Sequence, residues 1–222
     1  MPVSELTPVA QDYLKVIWTA TERSPTPITV KALAARLEVR PASVSEGLRR
    51  LADQGLVVHE PYGAIELTEA GRLHAVAMVR RHRLLETFLV ETLGYAWDEV
   101  HEEAEILEHA VSDLLLDRVD AALGHPDRDP HGDPIPAADG TSRAPAALPL
   151  AEAVPGEHRV ARISDDRPDV LRALAERGVG LDTTVVVTAG PGGRTATVRT
   201  AAGPVPLADD EVLAVRVLPV AP

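Results

Sequence analysis

From Thr7 to Arg23 the apolar residues Val9, Tyr13, Leu14, Ile17 and Trp18 recur at the spacing of an α-helix with one buried face. After a break at Ser24 to Pro27, Thr29 is placed to cap a second helix with Val30, Leu33, Ala34 and Leu37 inward. A third begins at Pro41, points Val44, Leu48 and Leu51 inward and stops at Gly55. Strand-like runs at Leu56 to Glu60 and Ala64 to Thr68 flank a turn of Pro61, Tyr62 and Gly63, which predicts a hairpin. The pattern reverts to a long helix from Thr68 to Leu93, with Leu73, Val76, Ala77, Leu84, Leu85, Phe88 and Leu89 on its apolar side. Helical periodicity resumes from Asp98 to Leu123, and Leu114, Leu115, Val119 and Leu123 are placed either to fill a core or, with Leu85, Phe88 and Leu89, to form a dimer face. Beyond Gly124 a stretch rich in Pro, Gly and Asp loses all periodicity and reads as a connector. From Glu157 the pattern turns to short strands: HRVARI, then TTVVVTA, RTATVRT, GPVPLA and EVLAVRVLP, with one helix near Arg167 to Arg177 between the first two. This predicts a small barrel in which GPGG is a hairpin turn.

The first three helices and the hairpin together predict a winged helix-turn-helix, although an ordinary helical pair has the same pattern. The exposed face of the third helix carries Ser43, Ser45, Glu46, Arg49 and Arg50, and with Arg40, Pro41, Ala42 and the wing-tip Tyr62 these are the candidate DNA contacts. Glu46 stands where a base-reading side chain is expected, able to accept from cytosine or to repel phosphate.

Composition sharpens the chemistry. The chain has 222 residues, no cysteine and a formal net charge of -12. Its length suggests two domains or more, and no disulfide, thiolate zinc site or cysteine nucleophile can exist. No apolar run approaches a membrane span, and the first residues lack a signal-peptide pattern, so a cytoplasmic protein without a membrane partner is expected. The acidic balance does not exclude DNA, because binding depends on local charge and dimer geometry.

Carboxylate and imidazole are then the only strong metal ligands. Within DEVHEEAEILEHAVSD, His101, Glu105, Glu108 and His109 fall at i, i+4, i+7 and i+8, on one helical face at about 100° per residue. No basic residue lies between Asp98 and Asp117, so Glu105 and Glu108 repel unless a cation sits between them; the other reading is a solvated acidic helix. His82 and Glu86 form a further i, i+4 pair, readable as two ligands or as a surface ion pair. Enzymatic readings fail on spacing. HEEAE lacks the second His of HExxH, Ile106 stands three before His109 where a di-iron bundle needs Glu, and no G-x-S-x-G elbow occurs, so no enzyme is expected.

With these elements placed, the winged helix, RRHRLLETFL, VHEEAEILEHAVSD and HPDRDPHGDPIP together make the chain resemble the diphtheria toxin repressor family of metal-dependent transcription regulators. The resemblance implies an α+β protein: a winged-helix DNA-binding domain over 1–74, a helical metal-binding and dimerisation domain over 75–136, a Pro-rich linker over 137–156 and an SH3-like, FeoA-like domain over 157–222. It also implies two metal sites per chain. The regulatory one corresponds to Asp12, Glu105, Glu108 and His109; the ancillary one to His82, Glu86 and His101, completed from the barrel near Asp165 and Asp166, with His82 able to serve either site. Iron-responsive members carry Met and Cys where Asp12 and Glu105 stand here, and losing soft ligands favours Mn²⁺, with Fe²⁺ the alternative. Compact manganese members place a Glu where this chain has Lys15, which speaks against a paired-ion site there. The expected protein is a homodimeric repressor on double-stranded operator DNA with Mn²⁺ as corepressor; a winged-helix regulator answering a non-metal ligand is the further alternative.

Overall fold

The computed structural model describes residues 5–23, 26–59, 63–137, 139–141, 146–190, 193–200 and 203–220; Tyr62 of the expected wing tip lies outside them. The chain divides into two compact units. One comprises the described residues of Met1–His82, Leu107–Asp113 and Pro136–Ser142, the other those of Arg83–Ile106, Leu114–Ile135 and Arg143–Pro222.

In the first unit, helices α1 (Pro8–Arg23), α2 (Val30–Arg36) and α3 (Pro41–Asp53) precede a two-stranded antiparallel sheet of β1 (Val57–His59) and β2 (Ile65–Leu67). Helix α4 (Glu69–Leu93) follows. Thr29 Oγ1 accepts from Ala32 N at 3.1 Å and caps α2, and Pro41 opens α3, both as local sequence dictates. Leu14, Ile17, Leu33, Val44, Leu48, Leu51, Ile65 and Met78 fill one core. This arrangement is the winged helix. Val9 departs from expectation, being 63% exposed, because it sits in the first turn of α1 outside the stripe formed by Tyr13, Leu14 and Ile17; Leu73 is likewise exposed.

The stretch from Asp98 to Leu123 is two helices, α5 (Val100–Leu107) and α6 (Asp113–Ala122). The expected single helical face therefore ends at Leu107, and Glu108 and His109 lie in the turn beyond. The buried guanidinium of Arg81 accounts for the break: Nη1 donates to Val111 O at 2.7 Å and Nη2 pairs with Asp113, occupying groups that a continuing helix would use otherwise.

In the second unit, Leu84 of α4 packs with Leu116 and Val119 of α6, Ile135, Phe88 and Leu123. Leu85, Leu89 and Val119 are thus consumed within the chain, whereas Leu114 and Leu115 remain exposed. Six antiparallel strands follow in the order β3-β8-β4-β5-β6-β7, consistent with the expected SH3-like domain: β3 (Leu148–Pro149), β4 (Gly156–Ile163), β5 (Thr184–Gly190), β6 (Gly193–Thr200), β7 (Gly203–Pro206) and β8 (Val215–Pro219). Helix α7 (Pro168–Glu176) buries Leu171 and Leu174 against Val160, Val185, Val198 and Val217.

Two expectations are corrected here. The segment read as linker to residue 156 is partly built into this domain, since Leu148 and Pro149 pair with β8 and Leu150 and Ala153 are buried in its core. The first part of EVLAVRVLP belongs to a short helix, α8 (Asp209–Ala214), whose buried Glu211 accepts from Ala208 N at 2.7 Å and pairs with Arg177 at 2.8 Å. Gly190 and Gly193 pair with each other, and Pro191 and Gly192 of the expected GPGG turn lie outside the described residues.

At Gly71 a Cβ would lie 1.9 Å from Leu56 O, a backbone atom that cannot swing aside. Gly71→Ala gains about 1 kcal/mol of helix propensity but forces α4 off the wing, so a net loss of about 1–3 kcal/mol is expected from overpacking. Thermal unfolding of the variant checks this, and an unchanged or raised midpoint would contradict the packing described.

Candidate metal centre

The cluster in the first unit is built on Glu108, whose side chain is fully buried. Its Oε1 accepts from Lys15 Nζ at 2.5 Å, and its Oε2 is 2.6 Å from His82 Nδ1. Burial raises the pKa of this carboxyl, but the hydrogen bond from His82 and the charges of His82 and Lys15 outweigh it and hold the group below its ordinary value. Helix α1 supplies the other side. His109 Nε2 is 3.1 Å from Asp12 Oδ1 and 3.8 Å from Glu108 Oε1.

The free valence of His109 can be assigned. Gln11 Nε2 donates to Leu6 O at 3.1 Å, which turns the amide oxygen of Gln11 toward His109 Nδ1 at 2.7 Å. Nδ1 therefore carries a proton, and Nε2 faces Asp12 and Glu108. A ring nitrogen held by a second-sphere acceptor while the other faces carboxylates is the usual arrangement of a metal-binding His. Asp12, Glu108 and His109 offer ligand atoms within 4.8 Å of one another. Two carboxylates and one imidazole without sulfur fit a hard or borderline divalent cation.

The second unit brings Glu86 (α4), His101 (α5) and Asp165 together. His101 Nδ1 is 3.3 Å from Glu86 Oε1 and 3.2 Å from Asp165 Oδ2, while Nε2 is 3.5 Å from Glu105 Oε1. Burial lowers the His101 pKa, but hydrogen bonds that its ring donates to Asp165 and Glu86, and their charges, push it up to about 11. Asp166, also expected near this point, is exposed and accepts from Ser164 Oγ at 2.8 Å. His82 Nδ1 is 2.6 Å from Glu108 Oε2.

Sequence reasoning missed Gln11, whose role depends on a tautomer, and also Asp129 and His131, which stand in the proline segment. Asp129 is buried, and its Oδ1 accepts from the backbone nitrogens of His131 and Asp133, each at 2.9 Å. Burial, and then the charges of Asp133 and Glu86, push its carboxyl up to about 8. The only sequence signal was a lone imidazole between two acidic residues in an otherwise loop-like run.

On α3, Val44, Leu48 and Leu51 are buried, while Arg40, Pro41, Ala42, Ser43, Ser45, Glu46, Arg49 and Arg50 are exposed. Glu46 bonds Arg49 at 2.8 Å and Arg50 at 3.1 Å, so it organises both guanidiniums instead of standing alone. A recognition-type helix above a wing, in a unit that also holds a carboxylate and imidazole cluster, defines a metal-responsive winged-helix regulator. Comparison with known proteins agrees. Residues 5–65 match the family description "Iron dependent repressor, N-terminal DNA binding domain", and residues 68–137 match "Iron dependent repressor, metal binding and dimerisation domain". The iron-dependent repressor IdeR of Mycobacterium leprae is 32% identical over 205 residues, covering 86% of this chain and 88% of that protein. The diphtheria toxin repressor of Corynebacterium diphtheriae is 32% identical over 171 residues, 73% of this chain and 75% of that protein. Among solved structures, a manganese-dependent transcriptional repressor in complex with manganese is 52% identical, with a TM-score of 0.89 over 95% of this chain and 100% of that one. The chain belongs to the iron-dependent repressor, or diphtheria toxin repressor, family of metal-dependent DNA-binding repressors. Among the described residues no helix is long and apolar enough to cross a membrane.

The His101 proton gives a pH signature. A His in the unfolded chain titrates near 6.5, so the stability this pairing contributes is complete below that pH and is lost as pH rises through about 11. A cation coordinated at His101 must displace that proton. Near pH 8 divalent-cation binding is therefore expected to release about one proton that His101→Gln does not release. Calorimetry in two buffers of different ionisation heat measures it; identical release from both proteins would remove His101 from the ligand set.

Proposed function

We propose that this protein is a manganese-responsive transcriptional repressor acting on double-stranded operator DNA as a homodimer, with Mn²⁺ as corepressor. The observation that carries the reading is the convergence of Asp12, Glu108 and His109, two hard carboxylates with one imidazole whose Nε2 faces them while Nδ1 is held by Gln11. The manganese-dependent repressor described above supports the choice of metal by its similarity over the full chain. A bound divalent cation would supply positive charge between the carboxylates and a preferred coordination geometry.

The residues of this chain do the rest. Asp12 rides on α1 of the winged helix, and Glu108 and His109 follow α5, so joint coordination fixes α1 relative to the segment Leu107–Asp113. Glu105 and the cluster of Glu86, His101 and Asp165 make up the remaining expected ligands, two ions per chain in all. Leu114 and Leu115, 65% and 47% exposed, are apolar residues that would contribute to a homodimer face. Across a two-fold axis, two α3 helices would read half-sites about 10 base pairs or a multiple apart. Arg40, Arg49 and Arg50 meet phosphate or guanine, Ser43 and Ser45 line the groove, and Tyr62 is assigned to the backbone. Genes of metal-ion uptake are the expected targets.

A second reading, an iron(II)-dependent repressor, has specific support in the iron-dependent name of the Mycobacterium leprae relative. The deciding experiment titrates binding to the chain's own upstream DNA in chelated buffer with added Mn²⁺, anaerobic Fe²⁺, Zn²⁺ or Mg²⁺. Coupling of about 1–3 kcal/mol predicts that Mn²⁺ tightens binding roughly 5- to 150-fold. Asp12→Ala, Glu105→Ala and His109→Ala are expected to lose that response while keeping the fold. A response to Fe²⁺ alone selects the second reading, and binding indifferent to every metal and every variant rejects both.

A further inference from the structure

Glycine inside a helix costs about 1 kcal/mol relative to alanine, yet Gly47 stands in the middle of α3, the recognition-type helix. What lies against it accounts for the residue. A Cβ at Gly47 would be 2.6 Å from Tyr13 Cε1, 2.7 Å from its Cζ and 2.9 Å from its hydroxyl oxygen, so the phenol edge occupies the space of a side chain. Tyr13 is 5% exposed and belongs to the core of the first unit, which leaves the ring little room to swing aside. Its hydroxyl donates to Ser43 O at 3.3 Å, the carbonyl one helical turn before Gly47. Notch and hydrogen bond therefore meet α3 at the same place.

That place lies between two sets of groups. At about 100° per residue, Ser43, Gly47 and Arg50 follow one stripe of α3, beside the buried stripe of Val44, Leu48 and Leu51. Ser43 and Arg50 are candidate DNA contacts, so the ring seats on the flank of the exposed face. On α1, Tyr13 directly follows Gln11 and Asp12, whose side chains lie 2.7 Å and 3.1 Å from the His109 ring. Neighbouring residues of a helix point about 100° apart, and the same turn of α1 thus meets His109 through Asp12 and α3 through Tyr13. Leu14 and Ile17 share a core with Val44 and Leu48, but apolar burial is non-directional. A ring seated on a glycine and bonded to a carbonyl fixes the register of one helix on the other.

We infer that Tyr13, seated in the Gly47 notch, is the positioning residue that passes a displacement of α1 to the recognition helix, so that coordination at Asp12 sets where Ser43, Glu46 and Arg50 stand. The inference rests on the metal-dependent repressor reading, and neither Tyr13 nor Gly47 is itself a candidate ligand or DNA contact.

The test compares the full-length wild type with Gly47→Ala, which unseats the ring, and Tyr13→Phe, which keeps the ring and removes its bond to Ser43. Affinity for the chain's own upstream DNA is measured in chelated buffer and in saturating Mn²⁺, together with the Mn²⁺ affinity of the DNA-free protein by calorimetry and the thermal midpoint. Against a wild-type tightening of roughly 5- to 150-fold on adding Mn²⁺, Gly47→Ala is expected to tighten about 2-fold or less, with Tyr13→Phe between the two. Mn²⁺ affinity without DNA and DNA affinity without metal are expected to stay close to wild type in both variants. A purely structural role would lower the thermal midpoint and weaken DNA binding by one factor with and without Mn²⁺, leaving the metal response intact. An intact response in Gly47→Ala overturns the inference, and so does a loss of Mn²⁺ affinity in the DNA-free variants, which would assign the pair to holding the metal centre. If Gly47→Ala does not fold, Tyr13→Phe decides: a diminished response sustains the inference and an undiminished one overturns it. Wild-type DNA binding that ignores metal removes the repressor reading along with this one, whereas a wild-type response shared by both variants removes this one alone.

Discussion

Glu108 is the group on which the first unit's chemistry depends. A carboxylate at zero exposure would cost several kcal/mol if it stood alone. Lys15 from α1 and His82 from α4 offset that cost, one on each oxygen. Because the partners come from different helices, their bonds also hold the turn after α5 against α1, which brings His109 to Asp12. Arg81 completes the hold by donating to Glu108 O and Val111 O and pairing with Asp113. The break between α5 and α6 is thus part of the site. A helix continuing through residues 108–112 would carry His109 onward with its axis and would leave Arg81 without these acceptors.

That break marks the limit of what periodicity could show. Local rules were enough for α1 to α4, where Thr29, Pro41 and Gly55 punctuate helices whose apolar stripes match the core at Leu14, Leu33, Val44 and Leu48. The strands of the C-terminal domain were equally legible, because alternation and turn residues are local properties. The interruption at Glu108 was not, since it is enforced by Arg81, 27 residues earlier. Helix α8 escaped for a related reason: VLAVRVLP favours strand by composition, and only the buried Glu211, held by Arg177 and the Ala208 nitrogen, makes its first turn helical. Residue types at the candidate metal centre could be proposed from the sequence; which imidazole nitrogens are held by acceptors could not, because Gln11 and Trp97 O hold them through contacts remote in sequence.

The wing and recognition helix show how an acidic chain accommodates a polyanionic partner. Glu46 pairs with both Arg49 and Arg50 on the exposed face of α3. Exposed pairs of this kind are worth little in stability, so Glu46 is better understood through orientation. It draws its own carboxyl below the ordinary range by accepting from both arginines, and it keeps their guanidiniums together along the helix. Exchanging these weak bonds for phosphate would cost little, which separates the local charge of α3 from the net charge of the chain.

The two units neutralise crowded carboxylates in different ways. In the first, a covalently tethered ammonium, Lys15, sits on Glu108. At an effective dielectric near 20, unit charges 4 Å apart interact by about 4 kcal/mol, and a divalent ion doubles that figure. Lys15 Nζ bonds Oε1, the same Glu108 oxygen that lies 3.8 Å from His109 Nε2, so its charge opposes a cation at that oxygen. In the second unit, Glu86, Asp129, Asp133 and Asp165 face two guanidiniums: Arg83 lies near Asp129 and Asp133, and Arg162 pairs with Asp133. The remaining negative charge is met by protons, one on His101 up to about pH 11 and one shared out to Asp129 up to about pH 8. A tethered lysine cannot leave, whereas protons exchange for cations.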